Sequence, residues 1–169
     1  VFNEYLIFAS KNPAFLPEIK KALGYFQYDY NIKVAKEVGK FFHNKSNWPA
    51  AFEFYATHLK TNPGDNETML LAAEAATRGQ LYTELLRLTT DWLEAFPLDP
   101  QLYLVEGNAY LQIKNYAKAV STLELGIDYV IYDEAMEYRF CILLSEAYEQ
   151  LGQTAKKESY AKRAARLKK

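Results

Sequence analysis

Apolar residues recur along most of this chain at intervals of three and four, in stretches of about a dozen residues separated by short polar strings, which is the pattern of amphipathic helices. Asn44 to Asn47, Gly79–Gln80, Lys114–Asn115 and Gly152–Gln153 each divide two such stretches and predict tight turns. Asn62-Pro63-Gly64-Asp65 and Phe96-Pro97-Leu98-Asp99-Pro100 divide others, stopping one helix and starting the next. No stretch alternates with period two between hairpin turns, so no sheet is expected.

The stretches repeat. Gly39, Ala72, Gly107 and Ser145 are the small residues of four successive patterns, 33, 35 and 38 residues apart. Three residues on, on the same face, stand Phe42, Ala75, Tyr110 and Tyr148. Twelve residues on, in a second helix, stand Ala51, Glu84, Ala119 and Lys157. Two helices joined by a short turn cross closely only where side chains are small, and Gly39 with Ala51, or Gly107 with Ala119, meet that need. Phe42, Phe52, Tyr55, Tyr110, Tyr116 and Leu123 would fill the space beside the crossings.

The expected architecture is all-α: an alpha-alpha superhelix of about four helical hairpins, at residues 32–63, 66–97, 100–131 and 135–167, after an N-terminal helical segment at 1–31. The long spacer from Val130 to Glu137 reads as an extension of the preceding helix, and the last hairpin as a cap with a basic outer face. In the leading segment, Pro13 and Pro17 suit helix starts, and Tyr25, Phe26, Tyr28 and Tyr30 form either a face packed on the first hairpin, which is favoured because large exposed patches are uncommon, or an exposed aromatic patch.

Asn47-Trp48-Pro49-Ala50-Ala51-Phe52-Glu53-Phe54-Tyr55 and Gly107-Asn108-Ala109-Tyr110 through Tyr116-Ala117-Lys118-Ala119-Val120 resemble the tetratricopeptide repeat. Leu102 to Tyr129 is most similar to bacterial envelope-type members, a resemblance that implies the periplasmic side of the envelope. It covers residues 32–167 and implies a fold and a protein-binding role without naming a partner. Some chaperone-adaptor members grip a terminal carboxylate with Lys and Asn on one unit and cations two units on. Lys36 matches in kind, but Lys40, Gln101 and Val105 do not, so carboxylate-tail recognition is not expected.

Composition narrows the picture. The 169 residues are 50% hydrophobic and 24% charged, which is globular and not disordered. No apolar run is long enough to span a bilayer, and Val1 to Ser10 shows no basic flank followed by a long apolar stretch. Charge is segregated: +3 over residues 1–64, −10 over 65–151 and +6 over 152–169. Nucleic-acid binding is not expected, because it needs one dominant positive surface. The basic tail instead suits a helix C-terminus, or a weak salt-sensitive homodimer with the acidic middle of another copy.

Candidate chemistry is sparse. Every glycine but Gly24 has a place in the period, and neither GxGxxG nor GxxxxGK[ST] occurs. His43 and His58 lack metal-ligand spacing, and the lone Cys141 falls on a packing face, so no metal, cofactor, disulfide or catalytic residue is expected. The acidic pairs Asp133/Glu134 and Glu146/Glu149 suit a solvated face.

What remains is a non-catalytic scaffold that binds a peptide or helix of another protein along its concave, first-helix wall. The angular offset from the packing face assigns Lys36 and Lys40 to its basic end and Met69, Ala73, Leu104 and Leu111 to its apolar floor. Asn108 and Gln112 would bond a partner backbone, and Arg139, Ile142, Glu146, Glu149 and Gln150 close the far end. The alternative is a structural, self-associating repeat module.

Overall fold

The computed structural model describes residues 7–8, 11–15, 17–19, 21 and 33–168. The aromatic cluster Tyr25, Phe26, Tyr28 and Tyr30 lies outside the described residues. Ahead of the repeats, Pro13–Phe15 forms one 3-10 turn, and Phe8 meets Phe15 edge to face at 5.0 Å.

Eight α-helices follow: α1 (Lys33–Asn44), α2 (Trp48–Leu59), α3 (Asn66–Gly79), α4 (Tyr82–Ala95), α5 (Pro100–Gln112), α6 (Tyr116–Ile127), α7 (Glu134–Gln150) and α8 (Thr154–Leu167). No strand occurs among the described residues. The chain divides into two compact units, 1–81 and 82–169. In the first, α2 packs against α1 and α3; in the second, α5 packs against α4 and α6, and α7 against α6 and α8.

Local chemistry sets the ends. The side chains of Asn47, Asp65, Asp99, Asn115 and Asp133 each accept a hydrogen bond from a backbone N–H in the first turn of the following helix, satisfying a donor the helix cannot. The intra-hairpin turns pass through left-handed residues: Ser46 at φ 55°, Gln80 at 57°, Lys114 at 63° and Gly152 at 70°. Only the last is glycine, so the turn after α3 bends at Gln80 and not at Gly79. Gly79 is instead kept small by Trp48, whose Cβ lies 3.0 Å from where a Cβ would stand.

Those four residues are 34, 34 and 38 apart, a truer repeat than the small residues show. Counting back seven from each gives Gly39, Ala73, Gly107 and Ser145. The residue of the second hairpin that corresponds to Gly39 and Gly107 is therefore Ala73 and not Ala72; in the helix that follows, Leu85 is buried and Glu84 exposed.

The crossings are close. A Cβ on Gly39 would stand 2.6 Å from the Tyr55 ring, and one on Gly107 would stand 2.4 Å from Leu123, each one turn beyond the buried Ala51 and Ala119. At the last crossing Ser145 Oγ donates to the Lys157 carbonyl at 3.3 Å, while the Lys157 side chain turns outward to Glu149 at 2.5 Å. Gly126 marks a three-helix contact: its absent Cβ would lie 2.2 Å from Tyr103 Cβ and 2.9 Å from Phe140.

The spacer does not extend α6. That helix ends at Ile127, and the four extra residues of the last period form an added first turn on α7, which has 17 residues where the others have 12 to 14. The N-cap at Asp133 decides this, because its carboxylate bonds the Met136 N–H at 2.8 Å and starts the helix there.

Candidate functional site: the first-helix walls

The wall of the first unit is formed by α1 and α3. Lys36 Nζ donates to Asp65 Oδ2 at 2.9 Å and to Glu67 Oε2 at 2.8 Å, and Lys40 reaches Glu67 at 3.0 Å. The carboxylate of Asp65 also contacts His58 Nε2 at 2.9 Å and caps α3 at the Thr68 N–H. Burial opposes its charge, but the bonds from Lys36, Thr68 and His58 outweigh that and hold it well below the usual carboxylate range. His43 lies 3.6 Å from Glu74 and meets the Trp48 ring edge-on at 5.1 Å. The basic end expected here is thus largely neutralised by the chain's own acids.

Met69 and Ala73 do not line this wall. They are 3% and 7% exposed, and Ala76 is fully buried. The reason is the one-residue offset of the repeat. One residue is 100° of helix rotation, so the residues that share the face of Lys36 and Lys40 are Glu67, Leu70, Glu74, Thr77 and Arg78. All five are exposed, and Leu70 supplies the apolar surface expected of Met69. The left-handed turn residues would have given the right register, but Gln80 carries no glycine signal in the sequence.

In the second unit the wall is formed by α5 and α7. Leu104 and Leu111 stand at the expected register, yet they are 2% and 4% exposed and join the core cluster that holds Cys141, Leu144 and Tyr148. The apolar floor assigned to them belongs to the core: a leucine at this position buries itself whenever the neighbouring helix lies close enough to cover it. Asn108 is half-buried and Gln112 exposed, their side chains 3.5 Å apart, and Arg139 Nη1 donates to Gln101 Oε1 at 3.3 Å. Ile142, Glu146, Glu149 and Gln150 are exposed as expected. Beside them an open depression of about 370 Å³ is lined by Ala135, Tyr138, Arg139, Leu167 and Lys168; Ala135 comes from the added turn of α7.

Much of the basic tail is paired within its own unit. On α8, Lys156 approaches Glu124 at 3.7 Å and donates to the Tyr148 hydroxyl at 2.9 Å; Arg163 bonds Glu137 at 2.7 Å. Tyr148 in turn bonds Glu124 and stacks on Tyr160 at 5.7 Å. The segregation of charge along the sequence thus stitches α8 to α6 and α7. Cys141 is fully buried and burial pushes its thiol up, so at neutral pH it stays protonated. Among the described residues no group of three His, Cys, Asp or Glu is placed to hold a metal, and no helix is long and apolar enough to cross a membrane.

No family model and no curated protein matches this chain. Among solved structures, MamA 41-end from Desulfovibrio magneticus RS-1 is similar at a TM-score of 0.68 and 14% identity, over 97% of this chain and 93% of that one. MamA AMB-1 is similar at 0.67 and 16%, over 97% and 95%. The TPR2B domain of yeast Sti1, in its pHsp70 complex, is similar at 0.60 and 23%, over 70% and 97%. At such identities the likeness is one of fold, and the fold is the tetratricopeptide-repeat arrangement of paired helices.

Proposed function

We propose that this chain is a non-catalytic protein-interaction scaffold whose repeat domain, 32–169, follows a leading segment, 1–31, and that a partner segment lies along the α5–α7 wall. The carrying observation is a row of accessible groups with little to do in the fold: Gln101 with Arg139, Asn108 with Gln112, and the exposed Ile142. Amides bond an extended backbone in either sense, and Ile142 gives it one apolar contact. That a similar fold was solved as the Sti1 TPR2B complex supports a peptide as the kind of partner. The Lys36 and Lys40 end contributes less, because a partner carboxylate must displace Glu67 to reach either ammonium.

A photo-cross-linking residue at Gln112 or Ile142 should give a discrete adduct with a second polypeptide in the source cell. Asn108→Ala with Ile142→Asp should reduce capture about tenfold. No adduct, or an equal one from a probe at the solvent-facing Glu84, would remove this wall from consideration.

A second reading, self-association, is favoured by one observation. Ile131 and Tyr132, on the α6–α7 loop, are 76% and 104% exposed, and Tyr132 is left-handed at φ 55°. The contact would be apolar, since Lys156, Lys157 and Arg163 of α8 are already paired. It predicts a weak dimer in concentrated solution that resists salt and is lost in Ile131→Ser, Tyr132→Ser. A monomer at about 0.5 mM by sedimentation equilibrium rejects it, since even small interfaces associate there.

A further inference from the structure

We propose that the α6–α7 loop and the depression beside it are the two halves of one self-complementary contact: Ile131 and Tyr132 of each copy enter the depression of a second copy across a two-fold axis. This rests on the self-association reading above and names the surface that such a dimer uses.

The projecting half is set by the chain itself. Ile131 is 76% exposed and Tyr132 104%, so the Tyr132 ring rests neither in its own depression nor elsewhere on its unit. Tyr132 takes up φ 55°, a left-handed conformation that is costly for a bulky residue and persists only where its surroundings impose it. Here the next residue imposes it: the Asp133 carboxylate accepts from the Met136 N–H at 2.8 Å, so the strained turn is anchored on α7.

The receiving half is the open depression of about 370 Å³ lined by Ala135, Tyr138, Arg139, Leu167 and Lys168. It is large enough to take a small ligand, and so a tyrosine with a neighbouring isoleucine. Tyr138 and Leu167 pack on the core of the unit, which fixes two of its walls. Arg139 gives an N–H to Gln101 at 3.3 Å, and the face of its guanidinium remains for a phenol ring.

Chemistry and position together identify the occupant as a second copy. The run 128–134 carries the exposed carboxylates of Asp128, Asp133 and Glu134 and no cation, whereas the depression is lined by two cations and no acid. Tyr132 and Ala135 are three residues apart, so no more than about 11 Å of chain separates the projection from the socket. A two-fold axis passing between them seats both projections in both sockets at once and closes the assembly at a dimer. The charges lie at the rim, where they set orientation and contribute little, and the apolar centre keeps the contact resistant to salt.

A benzophenone side chain placed at Tyr132 tests this on the purified full chain, in a concentrated mixture of isotope-labelled and unlabelled copies. Irradiation should link labelled to unlabelled chain, with the adduct mapping to residues 135–139 or 167–168. Ala135→Trp, at an exposed helix position, should fill the depression without changing helicity, and should lower adduct and dimer about tenfold. A dimer lost in Ile131→Ser, Tyr132→Ser that persists in Ala135→Trp, with adducts elsewhere, would overturn the depression as the socket and leave self-association standing. A chain that stays monomeric and gives no adduct would overturn both. An adduct formed only with a different polypeptide in cell extract would overturn the second copy as occupant.

Discussion

Gly126→Ala is expected to destabilise the second unit by about 3 kcal/mol, the upper end of overpacking costs. The new methyl would stand 2.2 Å from Tyr103 Cβ and 2.9 Å from the Phe140 ring. A Cβ is fixed to its backbone, so relief requires α5 and α6 to move apart, and Phe140 blocks the other side. Gly107→Ala is the contrasting case, since the atoms nearest its methyl all belong to the Leu123 side chain, which can turn about its own bonds, and not to a backbone-fixed Cβ. It should cost about 1 kcal/mol. Urea denaturation of the two variants checks the order; equal losses would mean that helix separation, and not side-chain mobility, governs both crossings.

The second large effect is Leu104→Glu. Leu104 is 2% exposed within the α5–α6–α7–α8 core, so a carboxylate placed there is desolvated without a partner. The expected loss is about 4 kcal/mol, enough to unfold a marginal unit, with helicity falling in circular dichroism at neutral pH. Gln112→Glu, on the same helix and exposed, should change stability by no more than about 0.5 kcal/mol. If Leu104→Glu stays folded, Leu104 faces solvent after all and returns to the binding wall.

Much of this protein was legible in its residues. Helices, turns and the absence of strands among the described residues follow from apolar spacing and from Asn, Asp and Pro at the boundaries, because these act within a few residues of chain. Gly39 and Gly107 named their own crossings, since only glycine admits a Tyr55 or Leu123 side chain that near. The acidic and basic segments were visible too, as was the accessibility of Asn108, Gln112 and Ile142.

Tertiary packing decided the rest. In the second hairpin the run Ala72-Ala73-Glu74-Ala75-Ala76 offers several equally small residues, so sequence could not choose the register, and a slip of one residue put Met69 and Ala73 on the wrong face. Leu104 and Leu111 hold the register of a binding wall, but a neighbouring helix comes close enough to bury them, a distance no local pattern encodes. Lys36, Lys156, Lys157 and Arg163 read as free charge along the chain and proved to be paired across helices. What the sequence determined alone was therefore each rod and its ends. Which face of each rod is open to a partner depended on interhelical approach, because burial is a property of two surfaces and the chain order describes only one at a time.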